Sequence, residues 1–215
     1  VYHASRVYGN ARVHGDARVS SAIVYDNADV SGDVHRAEVY GNARVVGVVH
    51  GAEVFDNANV SGKVYGSAKV FGNAEVLDAT VADAAQVYDH AWIEGDATRV
   101  GGSARVYGSA RVSEGAQVSG DAEVYGEAKI FEDVELFDNA RVFGGARVSG
   151  AAKVFGDAKI FGDARVMGDA IIDGGEISGD AVVTGGVWIG ATLSAGEWSE
   201  ASPGSQNDLY EELRG

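Results

Sequence analysis

Val142-Phe143-Gly144-Gly145-Ala146-Arg147, Val148-Ser149-Gly150-Ala151-Ala152-Lys153 and Val154-Phe155-Gly156-Asp157-Ala158-Lys159 are three successive copies of one six-residue pattern. An aliphatic residue opens each copy and Ala stands four positions later. From Val100 to Ile172 the aliphatic position recurs at every sixth residue without a break, and elsewhere the step is occasionally four, five or seven. A repeat this short governs every later reading of the chain. In a triplet such as Arg141-Val142-Phe143 the strand period sends Val142 to one face and its neighbours to the other. The β-branched residue points inward, and the charged and aromatic residues point out. The pairs Gly9-Asn10, Gly41-Asn42, Gly120-Asp121 and Gly162-Asp163 consist of residues that tolerate left-handed backbone at a corner. The recurring Ala11, Ala43, Ala122 and Ala164 are small enough to sit inside such a corner. Strand, corner, strand, corner makes a solenoid; a helix would lose about 1 kcal/mol at each glycine.

The pattern resembles the hexapeptide-repeat family, acyltransferase-like solenoids whose repeat is an aliphatic residue followed four positions later by a small one. The resemblance covers roughly residues 1–190. It implies a three-sided parallel β-helix in which three hexads make one coil. The left hand of that coil is implied by the resemblance alone, since the usual crossover rule favours right-handed connections. The expected fold is therefore all-β: about eleven coils, rising ~4.8 Å each into a rod of roughly 50 Å.

Three sides require every third hexad to share a face. Threading the chain this way puts ten aromatic residues at one outward position of one face: Tyr8, Tyr25, Tyr40, Phe55, Phe71, Tyr88, Tyr107, Tyr125, Phe143 and Phe161. A second face is mixed, with Ser20, His35, His50, Tyr65, Gly101, Ser119, Phe137 and Phe155. The third carries His14, Ser31, Val46, Ser61, Ser113, Phe131 and Ser149, together with a basic strip of Arg111, Lys129, Arg147 and Arg165. Three shortened hexads, starting at Val30, Val45 and Val60, fall at one corner of consecutive coils, where they are expected to narrow or flatten the rod.

The period decays after Ile189, and the solenoid is expected to span residues 1–196. Residues 197–215 read as a cap or linker, with a short helix near 208–214 that Asp208 would N-cap. Leu209, Tyr210 and Leu213 are its apolar residues, suited to covering the solenoid end or docking another chain. Val1 and Tyr2 already sit in the repeat, leaving strand edges that invite pairing.

Composition narrows the function. The 32 acidic and 17 basic residues leave a formal charge of −15, which argues against nonspecific nucleic-acid or anionic-membrane binding. No apolar run approaches the ~20 residues of a spanning helix. The chain has no Cys, hence no disulfide, thiolate metal site or Cys nucleophile. With no signal peptide visible, a reducing, cytoplasmic compartment is the expectation, although the chain begins at Val1 rather than Met.

The resemblance implies acyl transfer with an acyl-CoA or acyl-carrier donor and a His as base, for which His35 and His50 are the candidates. They occupy the same outward position on adjacent coils, about one strand spacing (~4.8 Å) apart. The carbonic-anhydrase branch of the family would need three His ligands, two of them close on one coil. His3, His14, His35, His50 and His90 lack that spacing, and no metal site or cofactor is expected. The G-x-x-x-x-G matches are repeat period and lack the Lys-Ser/Thr of a phosphate loop.

Ten aromatic rungs could form an apolar patch beyond the ~300–600 Å² of a typical monomer. Alternatively the rings stack on one another under the stems of flanking charged residues. The basic strip either splays toward corner acids such as Glu114 and Asp133 or meets an anionic partner. The leading expectation is a non-catalytic rod that self-associates, as dimer, trimer or open-ended assembly, through the aromatic face. The alternatives are an acyltransferase and an accessory protein that captures another protein, including an acidic nucleic-acid mimic. Ice binding would need flat ranks of Thr, which are missing.

Overall fold

The computed structural model describes residues 4–199, which form a three-sided parallel β-solenoid. Thirty-five strands of two or three residues are described, joined in two sheets of twelve and one of eleven. Within every sheet each strand pairs in parallel with the strand three ahead, so three successive strands make one coil. The sheet that begins at Arg6–Val7 is the aromatic face, that beginning at Arg12–Val13 the basic face, and that beginning at Arg18–Ser20 the histidine face.

The hexad explains the core directly. The aliphatic residue of each strand pairs with its counterpart one coil away, as in Val106↔Val124↔Val142↔Ile160. From Val19 to Val183 these side chains are buried, and so are the corner alanines from Ala22 to Ala181; Val7, Ala11, Val13 and Ala17 of the first coil are partly exposed. Backbone bonds run from coil to coil through strands and corners alike: Tyr107 N–H donates to Val124 O at 3.0 Å, and Asn42 N–H to Asp56 O at 2.6 Å. The backbone polar groups that the solenoid encloses are thus paired without a helix.

The corners correct one expectation. Left-handed backbone falls on the first residue of the Gly-Asn and Gly-Asp pairs; Gly9, Gly41, Gly120 and Gly162 have positive φ, whereas Asn10, Asn42, Asp121 and Asp163 do not. In the corner after the aromatic strands this position alternates over six coils as Gly9, Asp26, Gly41, Asp56, Gly72 and Asp89. A Cβ at Gly41 would lie 2.8 Å from Asp56 N, so space is short. Asp compensates for its side chain by accepting the next coil's amide: Asp26 Oδ2 from Gly41 N–H, Asp56 Oδ2 from Gly72 N–H and Asp89 Oδ2 from Gly108 N–H, each at 3.2 Å. The Asn that follows does separate work. Asn10, Asn27, Asn42, Asn57 and Asn73 form a ladder in which each Nδ2 donates to the next Oδ1 at 2.9–3.1 Å.

The three shortened hexads do share a corner, between the basic and histidine faces. The four-residue step is made by Gly32, Gly47 and Gly62, whose absent side chains let backbone lie on backbone. A Cβ there would stand 2.0, 1.9 and 2.3 Å from the next coil's carbonyl oxygen. The opposite deviation, the seven-residue step from Ile93 to Val100, is absorbed by Thr98. This buried hydroxyl donates to Glu94 O at 2.6 Å and accepts Gly115 N–H at 3.0 Å.

The solenoid continues past the expected boundary at residue 196. Glu197–Trp198 pairs with Val182–Val183, and the last inward rungs are Trp188, Leu193 and Trp198 at steps of five. Trp188 and Trp198 meet edge to face at 5.8 Å, and their indole N–H groups donate to Gly185 O and Ala195 O at 2.7 and 3.2 Å. The helix expected near 208–214, with Leu209, Tyr210 and Leu213, lies outside the described residues, as do His3 and the first strand edge at Val1 and Tyr2.

Candidate functional site

Each outward column of a face is a set of side chains one coil apart, and the three faces differ in what those columns hold. On the aromatic face all ten rings stack in one unbroken ladder. Successive centroids are 4.8–5.1 Å apart and successive planes lie within 8° of parallel. The ladder runs roughly 44 Å, as expected for nine strand spacings. Ring faces cover one another, so nine of the rings are half-buried and only Tyr8, at the end of the stack, is 53% exposed. Burial beside neighbouring rings raises the hydroxyl pKa of Tyr25, Tyr40, Tyr88 and Tyr107 above the usual 10.0. The carboxylates of Glu53 and Glu38 add to this at Tyr40 and that of Glu123 at Tyr107, while Arg105 opposes it at Tyr88 and Tyr107.

From Glu53 to Glu176 the charged column beside the rings is largely ion-paired, whereas Arg6 and Glu38, before it, have no ion pair among the described residues. Lys69 pairs with Glu53 at 3.0 Å, Arg105 and Arg141 bracket Glu123, and Lys159 pairs with Glu176 at 2.8 Å. A polar recess of about 370 Å³ lies between this column and the preceding corner, where Asp121, Asn139 and Asp157 line up on consecutive coils. Sequence reasoning named the ladder and missed this recess. The available signal was a corner acid or amide recurring every eighteenth residue.

On the histidine face Ser20, His35, His50 and Tyr65 occupy one register position on four coils. The two imidazoles are 4.7 Å apart, as the spacing predicted, but meet edge to face at 79° rather than stacking. Ser20 Oγ bonds His35 Nδ1 and sets that ring's plane. His35 is half-buried and His50 is exposed. His14 lies on the basic face with Nε2 2.9 Å from Asp29 Oδ1. Among the described residues no group of three or more His, Cys, Asp or Glu side chains is placed to hold a metal ion.

On the basic face Arg111, Lys129, Arg147 and Arg165 are direct neighbours on four consecutive coils, and all four are exposed. The expected splaying onto corner acids is not found: among the described residues none of the four has an ion pair. Trp92 precedes them in register, and the Arg111 guanidinium carbon lies 5.6 Å from its ring centroid.

A family model described as the YdcK beta solenoid repeat matches residues 5–21. That segment is one coil, containing the first strand of each face. The match agrees with the solenoid geometry and carries nothing specific to acyl transfer. No curated protein matches the chain.

Proposed function

Taking the chain as a β-solenoid repeat protein, we propose that it is a non-catalytic rod that self-associates laterally through its aromatic face. The observation that carries this reading is the ten-ring ladder, continuous over ten coils with its ring edges outward. Stacking alone would be satisfied by shorter runs, whereas a partner rod with the same coil rise can meet every rung at once. The rings are held by stacking and by largely ion-paired charged neighbours, so little side-chain freedom is lost on docking. Acyl transfer would rest on His35 and His50 alone, and is supported less.

Absolute mass by light scattering tests the proposal. It is measured at about 1 M salt, where charge contacts are screened beyond ~3 Å. The expected result is a mass above the 22.2 kDa of one chain. The variant Tyr107→Ser/Tyr125→Ser/Phe143→Ser should fall to the mass of one chain with its far-ultraviolet circular dichroism unchanged. A wild type that stays at the mass of one chain at every concentration, or a variant as heavy as the wild type, overturns the reading.

A further inference from the structure

We infer that the basic face is a second, electrostatic docking surface that pairs with the same face of another copy about a two-fold axis parallel to the rod. The inference rests on the reading of the chain as a self-associating rod, but on different residues and different physics.

The starting point is an arrangement that costs free energy in the isolated chain. Like charges directly opposite one another on neighbouring strands are unfavourable, and Arg111, Lys129, Arg147 and Arg165 form three such contacts in a row. Acid is not scarce, since the chain has 32 acidic residues against 17 basic ones. The other two faces use that acid: the described ion pairs hold Lys69, Arg105, Arg141 and Lys159 on the aromatic face and Lys153 on the histidine face. Among the described residues, these four basic side chains on consecutive coils are left without an ion pair.

Acid stands at both edges of the face: Glu127 and Asp163 lie two residues before Lys129 and Arg165, exposed and without an ion pair to them, and more acid stands on the same coils at the far edge. Glu114 follows Arg111 by three residues, Glu132 and Asp133 follow Lys129, and Asp169 follows Arg165; all are exposed, and of them Glu132 already accepts the Gly150 N–H of the next coil. Within one chain the strand lies between the two columns. A two-fold axis parallel to the rod keeps every coil at its height and reverses the order of columns across the face. The basic column of each copy is thereby brought toward the acidic edge of the other. Because both copies have the same coil rise, the coils of Arg111, Lys129 and Arg165 are matched together, whereas the corner after Arg147, Gly150-Ala151, carries no acid. Half-buried Phe131 and Met167 lie between the two columns and would form the apolar centre of the contact. Two-fold pairing through one self-complementary patch is the commonest arrangement of soluble oligomers. A free polyanion fits less well, because it would lie between acidic corners on both sides of a chain whose formal charge is −15.

The test uses the full chain carrying Tyr107→Ser/Tyr125→Ser/Phe143→Ser, so that the ladder does not contribute. At about 10 mM salt, where screening reaches only beyond ~30 Å, its mass should be twice 22.2 kDa, falling twofold at about 1 M salt. Adding Lys129→Glu/Arg147→Glu gives an acidic face, and adding Glu114→Lys/Asp133→Lys gives a basic one. Each should have the mass of one chain at low salt, and the two should form a one-to-one complex when mixed. A single-chain mass for the triple variant at low salt overturns the inference, as does a dimer indifferent to the charge changes. Retention of inorganic polyphosphate by a protein that stays at the mass of one chain would assign the column to a polyanion instead, and also overturns it. Failure of the ladder reading looks different: the wild type would be no heavier than the triple variant at high salt, while this dimer would still form at low salt.

Discussion

Gly47 shows how much one absent side chain decides in a solenoid. Its missing Cβ would lie 1.9 Å from Gly62 O, against backbone that is itself bonded to the next coil. Gly145 differs: the nearest atom to its missing Cβ is the end of the Asp163 side chain, which can swing away. Gly47→Ala should therefore cost about 3 kcal/mol, the upper range for overpacking. Gly145→Ala should stay within about 0.5 kcal/mol, as surface substitutions do. Urea unfolding of the two variants checks this, and equal midpoints would refute it. At this scale the sequence was partly legible. That Gly and Asp suit corners is visible in composition, but which corner residue takes positive φ is set by the neighbouring coil. Asp26 and Asn27 have similar intrinsic preferences, yet one caps an amide of the next coil while the other joins the asparagine ladder.

The ladders belong to the scale of elements, because a two-residue strand has no stability of its own and gains it from the strands three before and three after. Ten aromatic rungs were readable from spacing once three faces were assumed, and the register agrees position by position. What spacing could not supply was ring orientation. Nearly parallel planes result when identical flat side chains follow one another at the strand spacing, whereas Ser20 turns His35 across His50. The basic column was likewise legible as a column; its lack of ion pairs was not, because sequence shows which acids are near but not where their carboxylates point. The tyrosines give a pH prediction. Folded protein holds the hydroxyl protons of Tyr25, Tyr40, Tyr88 and Tyr107 more tightly than unfolded chain does. Their contribution to stability is therefore complete below pH 10 and is lost as pH climbs through the raised folded values. The urea midpoint should fall as pH rises beyond about 10. A variant with Phe at these four positions should lose less over the same interval. Identical pH profiles for the two proteins would count against the coupling.

For the whole molecule, stability is a sum of coils and of contacts between nearest neighbours. Such a rod opens from its ends unless something seals them. At the C-terminal end of the described residues, Trp188, Leu193 and Trp198 close the lumen that Val and Ile fill elsewhere. Trp188→Ala should cost about 3–5 kcal/mol, and the loss should be local. Hydrogen exchange would show faster amides from about Ile172 onward and unchanged protection around Val106 and Val124. Uniformly faster exchange, or no change, would contradict the nearest-neighbour picture. The sequence by itself determined the repeat, the three faces, the inward column and the composition of every outward column. It could do so because strand period and coil period are local properties carried by each hexad. Only the tertiary structure decided which corner residues are left-handed, which charges find partners and where the coil is plugged. Those depend on atoms fifteen to nineteen residues away, brought within contact distance by the stacking of one coil on the next.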